Sequence, residues 1–164
     1  MVANNKIIDV FVEIPTGSQN KYEYDKDKGV FKLDRVLFSS QFYPAEYGYI
    51  DETLALDDDP LDALVIVTNP TFPGCVIESK VLGFLNMVDD GEEDQKLIAV
   101  PVEDPRFENV ETLDDLPQHK LEEIKHFFDT YKDLQGKETQ IGEYEDADAA
   151  SKLIDECLER YQNN

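Results

Sequence analysis

Alternating apolar and polar positions run through the first two thirds of the chain. Residues 7–14 place an apolar side chain at every second position from Ile8 to Ile14, which predicts a strand with one buried face. Other apolar runs, separated by charged loops or by Gly and Pro, predict strands at residues 21–24, 30–37, 62–68, 75–88 and 97–102. We expect the long fifth run to bend near Gly83. The aromatic-rich stretch 42–50 is typical of an ordered loop.

The last third of the chain changes to a period of three to four residues. Apolar positions after Leu116 predict a helix that Asp115 caps and that ends before Gly136. A second helix is predicted to begin at Asp146 or Asp148. Its inner face comprises Ala150, Leu153, Ile154, Cys157, Leu158 and Tyr161. Several strands followed by two helices predict an α+β fold, a β-barrel with the helices packed on its outside.

Composition adds a strong negative charge to this picture. The 164 residues suit a single domain over 1–164, and 37 acidic residues against 15 Lys plus Arg give a net charge of −22. Such a charge disfavours nucleic acid and anionic membranes, and it favours binding of cations. Cys75 and Cys157 follow no metal or redox spacing, and no leader or membrane-spanning run is evident. We therefore expect a cytoplasmic protein with reduced thiols.

A cluster of acids marks the point where one predicted strand begins. Residues 57–62 read Asp-Asp-Asp-Pro-Leu-Asp, and the apolar run 63–67 follows at once. Carboxylates held together at the edge of a core repel one another unless a cation lies between them, and hard oxygen ligands favour Mg²⁺, Mn²⁺ or Ca²⁺. Asp57 and Asp59 lie about 6–7 Å apart on one side of an extended segment, so both can serve one site without binding the same ion directly. Because Pro60 favours a bend that brings Asp62 towards Asp57, the loop is expected to supply two metal ligands and one free carboxylate beside a metal-bound water.

Two other interpretations of this loop can be weighed directly. An EF-hand would need an oxygen ligand at 61, Gly at 62 and Glu at 68, whereas the chain has Leu61, Asp62 and Thr68. The EF-hand interpretation therefore fails. A plain acidic turn that caps a strand is the other alternative, and it would account for a lone acidic triplet equally well.

A second acidic loop at residues 89–94 and four well-placed cations favour a functional site. The cations, which lie on segments otherwise poor in positive charge, are Lys21, Arg35, Lys96 and Lys132. Arginine contacts phosphate through two nitrogens and lysine acts as a point charge, so carboxylates together with these cations are typical of a phosphoryl-transfer site. The chain has no Walker-type glycine loop for a nucleotide.

Several separate motifs, in order, make the chain resemble the soluble family I inorganic pyrophosphatases of the compact bacterial branch. Residues 57–62 match the signature D-x-D-P-x-D of that family. Further matches are Glu13-Ile14-Pro15, Lys21-Tyr22-Glu23, residues 42–49, residues 93–97 and residues 126–134. Relatives often carry tryptophans after the first helix, whereas this chain contains none. That departure concerns packing near the C-terminus and leaves the motifs of the site intact.

The resemblance implies a five-stranded, OB-like β-barrel with two C-terminal helices packed on its outside. It implies Mg²⁺-dependent hydrolysis of pyrophosphate to two phosphates, with several metal ions per active site and Mn²⁺ or other divalent ions as possible substitutes. The expected step is direct attack by a metal-bridged water or hydroxide, and removal of pyrophosphate drives biosynthetic reactions. Pyrophosphate is expected to enter as a magnesium complex. The family also implies a cytoplasmic homohexamer.

Roles for individual residues follow from the same resemblance. Asp59 resembles the general base. The acids that resemble metal ligands, directly or partly through water, are Asp57, Asp62, Asp94, Asp89, Glu13 and Glu23. A further set resembles the phosphate-binding residues of the family and comprises Lys21, Arg35, Tyr43, Tyr47, Lys96, Tyr131 and Lys132. Within this set Tyr43 has a supporting role. Asp89 and its neighbour Asp90 are both available as the ligand from the second loop.

Two rival functions remain at this point. A non-catalytic acidic module that buffers Mg²⁺ or Ca²⁺ or binds a protein partner explains the acids but gives no task to the four cations. An enzyme that acts on nucleoside triphosphates would explain the cations, but no stretch is typical of a base-binding pocket.

Overall fold

The computed structural model describes residues 5–164, so the predicted single domain is described except for residues 1–4. Nine strands and two α-helices make up the described part. The strands are β1 Ile7–Ile14, β2 Asn20–Asp25, β3 Val30–Val36, β4 Glu46–Tyr49, β5 Asp62–Val65, β6 Val76–Asp89, β7 Glu92–Glu93, β8 Lys96–Pro101 and β9 Thr139–Asp146. The helices are α1 Gln118–Thr130 and α2 Ala147–Gln162. Neither helix is long and apolar enough to span a membrane.

Five strands form a ring in which each strand pairs with the next. The order is β1, β4, β5, β8 and β6, and β6 returns to pair with β1. All of these pairings are antiparallel except that of β5 with β8. Strands β7 and β9 extend the sheet along β6, and β2 with β3 forms a separate hairpin. The predicted α+β fold, with a five-stranded ring and two C-terminal helices, is confirmed.

The core is divided between two groups of buried side chains, one associated with each helix. From α1, Ile124 and Phe128 join a group that also contains strand residues from around the ring. From α2, Ile154 and Cys157 join the second group, to which Val10 of β1 belongs. Alternate residues of β1 are buried as the apolar pattern predicts. Consecutive residues of β5 fall in different groups, Leu64 in the first and Ala63 and Val65 in the second, so the two helices join apolar groups on opposite faces of the strands.

The helix boundaries confirm part of the sequence prediction and correct the rest. Helix α1 begins at Gln118 after Pro117, so Asp115 is not its N-cap. The Asp115 carboxylate instead accepts hydrogen bonds from the backbone N–H groups of Glu111 and Thr112, in a short 3₁₀ turn. Asp146 caps α2 as predicted, and its side chain accepts a hydrogen bond from the backbone of Ala149.

Local patterns missed three strands, of which the two-residue β7 lies within the predicted second acidic loop. Strand β9 has few buried positions, so its alternation is weak, and it forms because it pairs with β6. Strand β4 lies inside the aromatic stretch predicted to be a loop, and it forms because it pairs with both β1 and β5.

Tyr161, predicted on the inner face of α2, is exposed because it lies in the last turn. The predicted bend of β6 is confirmed by a register shift between Val81 and Gly83.

A β-bulge in β1 sets the direction of Glu13. Val12 pairs with Gly48 and Ile14 pairs with Tyr47, so Glu13 is the extra residue on the bulged strand. Bulges of this kind redirect a side chain and increase local twist. A Cβ on Gly48 would lie 1.9 Å from the carbonyl oxygen of Phe11, so the two strands approach this closely only because residue 48 is glycine.

We expect Gly48→Ala to lower the free energy of unfolding by about 3 kcal/mol, because the added methyl group forces β1 and β4 apart. Urea unfolding followed by circular dichroism measures the change. Gly142→Ala is the matched control, since its Cβ would meet Asn86 only at 3.0 Å and a small shift relieves that contact. Equal losses in the two variants would contradict the close approach at Gly48.

Candidate active site

One cleft collects nearly all the residues singled out from the sequence. It has a volume of about 420 Å³ and lies beside the β2–β3 hairpin. Its lining residues are Glu13, Lys21, Tyr22, Glu23, Tyr24, Lys26, Arg35, Tyr47, Tyr49, Asp57, Asp59, Pro60, Asp62, Asp89, Asp94, Lys96, Tyr131 and Lys132. Of the predicted site residues, Tyr43 alone is not in this lining. Residues from distant parts of the chain therefore converge here.

The acidic loop is ordered by its own backbone. The Asp57 carboxylate accepts a hydrogen bond from the N–H of Asp59 at 3.1 Å, and the Asp59 carbonyl accepts one from Ala55 at 2.8 Å. Asp58, with a φ of 65°, adopts the left-handed conformation at the tip of the loop and points into solvent. Asp57 and Asp59 line the cleft on either side of it.

Strand register explains why Asp62 lies beside Lys96. Asp62 begins β5 and is the parallel partner of Lys96, the first residue of β8. The ammonium group of Lys96 donates to Asp62 Oδ2 at 2.6 Å, to Asp94 Oδ1 at 2.8 Å and to the Tyr47 hydroxyl at 2.9 Å. Tyr47 in turn donates to Asp62 Oδ2 at 3.0 Å. Lys96 is only 1% exposed, so all three of its donor hydrogens are used by protein groups.

This buried ammonium changes the proton affinities around it. Burial would lower the pKa of Lys96, but the charges of Asp62 and its other partners outweigh burial and raise the pKa well above its ordinary value. Burial disfavours the Asp94 carboxylate as well, yet Lys96 holds the pKa of Asp94 below its usual range. Burial raises the pKa of Asp62 to about 6 despite the contact with Lys96. One lysine therefore compensates only part of the negative charge.

The acids that do not contact Lys96 show that part of the negative charge in the cleft is not compensated. Burial raises the pKa of Glu13 to about 7, against a hydrogen bond of 2.9 Å from the N–H of Tyr24, and the charge of Asp62 raises it further. Burial also raises the pKa of Asp57 to about 7, with added repulsion from Asp94 and Asp62. Carboxyl groups that resist ionisation at neutral pH indicate a site that lacks positive charge.

Cationic side chains also contribute to the lining of the cleft. Lys21 and Arg35 are cross-strand partners in the β2–β3 hairpin, and both donate to Asp34 Oδ2, at 3.3 and 2.8 Å. The Nε atom of Arg35 is buried without an acceptor in the described part of the chain. Lys132 contacts Asp89 Oδ2 at 2.5 Å, and the hydroxyl of Tyr131 donates to the same oxygen at 3.2 Å.

The structure also adds residues that the sequence reasoning did not single out. Asp34 holds both hairpin cations, and its position next to Arg35 in the sequence was the available signal. Lys26 and Tyr49 line the cleft near the hairpin loop, with the lysine ammonium 5.1 Å from the centre of the tyrosine ring. Tyr43 is 1% exposed and packs against the ring of Tyr47, at 5.6 Å between centroids.

The chemistry of the donors fits a hard divalent cation. Among residues 5–164, no three His, Cys, Asp or Glu side chains already form a metal-binding group. The cleft nevertheless brings together Asp57, Asp62 and Asp94, which are close enough to shift one another's pKa values. Oxygen donors that repel one another are the ligands that Mg²⁺ prefers, and a bound cation would remove the repulsion.

Comparison with known proteins agrees with this geometry. Residues 10–162 match the family model described as inorganic pyrophosphatase. The chain is 75% identical to an inorganic pyrophosphatase of Halalkalibacterium halodurans over 162 residues, 99% of each protein. Its structure is similar to that of an inorganic pyrophosphatase from Thermus thermophilus, with a TM-score of 0.92 and 45% identity, covering 95% of this chain and 91% of the other. It is also similar to the enzyme from Helicobacter pylori, with a TM-score of 0.93 and 41% identity, covering 96% and 94%.

In metal-free protein, we expect Asp57→Asn to raise the free energy of unfolding at about pH 7.5 by about 1 kcal/mol, after allowance for solvent screening of this partly exposed group. The pKa of Asp57 in the folded protein is about 7, above its ordinary value of 3.8. The wild type therefore loses stability as pH rises from about 4 through 7, and asparagine removes that loss. Urea unfolding with a chelator, repeated at about pH 5, should show a smaller gain.

Asp58→Asn is the control for this comparison, because asparagine tolerates the left-handed conformation and Asp58 is exposed. Its effect should be small at both pH values. A loss of stability in Asp57→Asn at neutral pH, in the absence of metal, would contradict the inference that this part of the cleft lacks positive charge.

Proposed function

The chain belongs to the inorganic pyrophosphatase family, whose members are hydrolases, and from this premise we propose that it hydrolyses pyrophosphate to two phosphates with the help of several Mg²⁺ ions. The observation that carries the proposal is a single cleft whose lining combines uncompensated carboxylates with a group of cations. Carboxylates coordinate metal ions, and cationic side chains bind the oxygens of a small polyanion. Neither half alone would bind a magnesium complex of pyrophosphate.

Metal binding is assigned to the acidic side of the cleft. Asp57, Asp62 and Asp94 hold the activating ions, and Asp89 holds a further ion that arrives with the substrate. The exposed position of Asp90, outside the lining of the cleft, supports Asp89 over its neighbour. Two further acids at the cleft, Glu13 and Glu23, act partly through water. Bound Mg²⁺ supplies positive charge to the developing phosphate and lowers the pKa of water at the site.

Asp59 is the proposed general base. It lines the cleft two residues from Asp57, and its backbone N–H donates to the Asp57 carboxylate, which holds the loop in shape. A carboxylate in this place accepts a proton from the attacking water. The water oxygen forms a bond to phosphorus, the bond from phosphorus to the bridging oxygen breaks, and the second phosphate leaves. No covalent intermediate with the protein is involved.

Phosphate binding is assigned to the cationic side. Arg35 offers a buried Nε donor that has no acceptor among residues 5–164, and this unsatisfied donor supports a contact with an anion. Lys21 shares Asp34 with Arg35, while Lys132 and Tyr131 share Asp89, so phosphate oxygens exchange with carboxylate partners at both places. These exchanges hold the substrate without leaving a buried cation unpaired.

Lys96 and Tyr47 belong to the same phosphate-binding proposal, but their contacts support a second task. Both hydrogen bond to Asp62, and Lys96 also binds Asp94. They therefore orient two proposed metal ligands from a buried position, as outer partners of metal ligands commonly do. The cytoplasmic homohexamer and the use of Mn²⁺ in place of Mg²⁺ stay predictions from the family resemblance.

A phosphate-release assay tests the proposal directly. With Mg²⁺ present, we expect rapid hydrolysis of pyrophosphate and much slower hydrolysis of ATP and tripolyphosphate, because the cleft is small and contains no nucleotide-binding glycine loop. A chelator should abolish the activity and added Mg²⁺ should restore it. Preferential hydrolysis of ATP would favour the rival nucleotide enzyme, and no hydrolysis of any of the three substrates would favour the acidic binding module.

We expect Asp59→Asn to lower kcat by about 10²–10⁴-fold, the usual contribution of a positioned general base. Binding of Mg²⁺ to the variant, measured by calorimetry without substrate, should stay close to that of the wild type, because Asp59 is not among the proposed ligands. Asp58→Asn serves as the control within the same loop and should keep its turnover. Unchanged kcat in Asp59→Asn would remove this residue from the role of base.

A further inference from the structure

Glu46 is a buried acid that the proposed reaction does not use. It is the first residue of β4 and is 0% exposed. Its carboxylate takes part in none of the ion pairs found among residues 5–164. A buried polar group of this kind is stable only when hydrogen bonds replace its contacts with water.

Hydrogen bonds from two separate loops satisfy this carboxylate. Oε2 accepts from the backbone N–H of Thr16 and from the Thr16 hydroxyl, the latter at 3.2 Å. Oε1 accepts from the backbone N–H of Thr71. Thr16 lies in the turn after β1, and Thr71 lies between β5 and β6. One side chain therefore ties two connecting segments to β4.

The turn that contains Thr16 begins directly after the bulge at Glu13. On the N-terminal side of the bulge, the carbonyl of Val12 accepts a hydrogen bond from Gly74 at 2.8 Å. On the C-terminal side, only Ile14 and Pro15 separate Glu13 from Thr16, and proline restricts the backbone. With Thr16 bound to Glu46, the chain is held on both sides of Glu13.

The same strand carries a residue of the site on its other side. Tyr47 follows Glu46 along β4, and neighbouring residues of a strand point in opposite directions. Tyr47 contacts Asp62 and Lys96 in the cleft, while Glu46 contacts the two loops. Glu46 therefore connects the backbone around Glu13 to the strand that presents Tyr47.

We propose that Glu46 is a positioning residue that acts on the reaction through Glu13, by holding the turn after the bulge so that the Glu13 carboxylate faces the cleft. This inference rests on the proposed function. It gives a role to an acid outside the cleft. It predicts that loss of the Glu46 carboxylate displaces the carboxylate of Glu13 and lowers turnover, in addition to any loss of stability.

Glu46→Gln is the variant that tests this connection, because it keeps the size of the side chain. Its amide has one oxygen acceptor, so the NH₂ group must face either the N–H of Thr16 or that of Thr71, donor against donor. We expect kcat for pyrophosphate to fall about tenfold, the effect of a small misplacement of a group at the reacting centre. KM should change less than kcat.

A double-mutant cycle with Glu13→Gln separates positioning from general stability. If Glu46 acts through Glu13, Glu46→Gln should change kcat by less than about twofold once Glu13 has been replaced. Its effect on the melting temperature should persist in both backgrounds. Tyr144→Phe is the stability control, since it removes a partly buried hydrogen bond to the Leu121 carbonyl away from the cleft and should lower the melting temperature with kcat unchanged.

The outcomes of this cycle are distinct. Additive effects on kcat, or a change in KM alone, would overturn the role of Glu46 while the wild type still hydrolyses pyrophosphate. Inactive wild-type protein would overturn the proposed function, and this role with it. If Glu46→Gln does not fold, Thr16→Ala removes one of the three hydrogen bonds and should show the same dependence on Glu13 with a smaller fall in kcat. Additivity in that variant would equally overturn the role.

Discussion

The contact between Lys96 and its two aspartates is the constraint on which the cleft depends. Strands β5 and β8 are the parallel pair in the ring, and their register places Asp62 beside Lys96 in the interior. A buried ammonium with three protein acceptors is stable only because those acceptors are present. The same ammonium is too small a charge for all the acids around it, and Glu13 and Asp57 keep raised pKa values. The cleft thus keeps more negative charge than its buried ammonium compensates.

Much of this arrangement could be predicted from the sequence because its parts are local. The acids of residues 57–62 are contiguous, and alternation in β1 directly reflects which face is buried. Strands β4 and β9 escaped prediction since pairing with distant strands, and not their own pattern, holds them in place. Register is equally non-local. The sequence around Lys96 contains no pattern that predicts burial of its charge between Asp62 and Asp94.

The direction of Glu13 shows how one such non-local feature arises. A strict alternation through β1 would pair Glu13 regularly with β4, but the bulge makes it the extra residue. The close approach of β4 to β1 beside the bulge needs a glycine at position 48, and the turn beyond the bulge needs an acceptor for the N–H of Thr16. Neither requirement is visible in the aromatic stretch that contains Glu46 and Gly48, because each becomes meaningful only once β1 lies beside β4.

In the proposed function a protein of charge −22 binds an anion, and the pairing of charges within the cleft explains how. Three cationic side chains of the cleft are paired with carboxylates in the described structure. Asp34 binds Lys21 and Arg35, and Asp89 binds Lys132. In the proposed function, phosphate oxygens take the place of these carboxylates, and metal ions remove the repulsion among the other acids of the cleft. Binding is then an exchange of partners inside a preorganised site, where local charges act at short range. Net charge over the whole surface, screened within about 10 Å by salt, has little influence on that exchange.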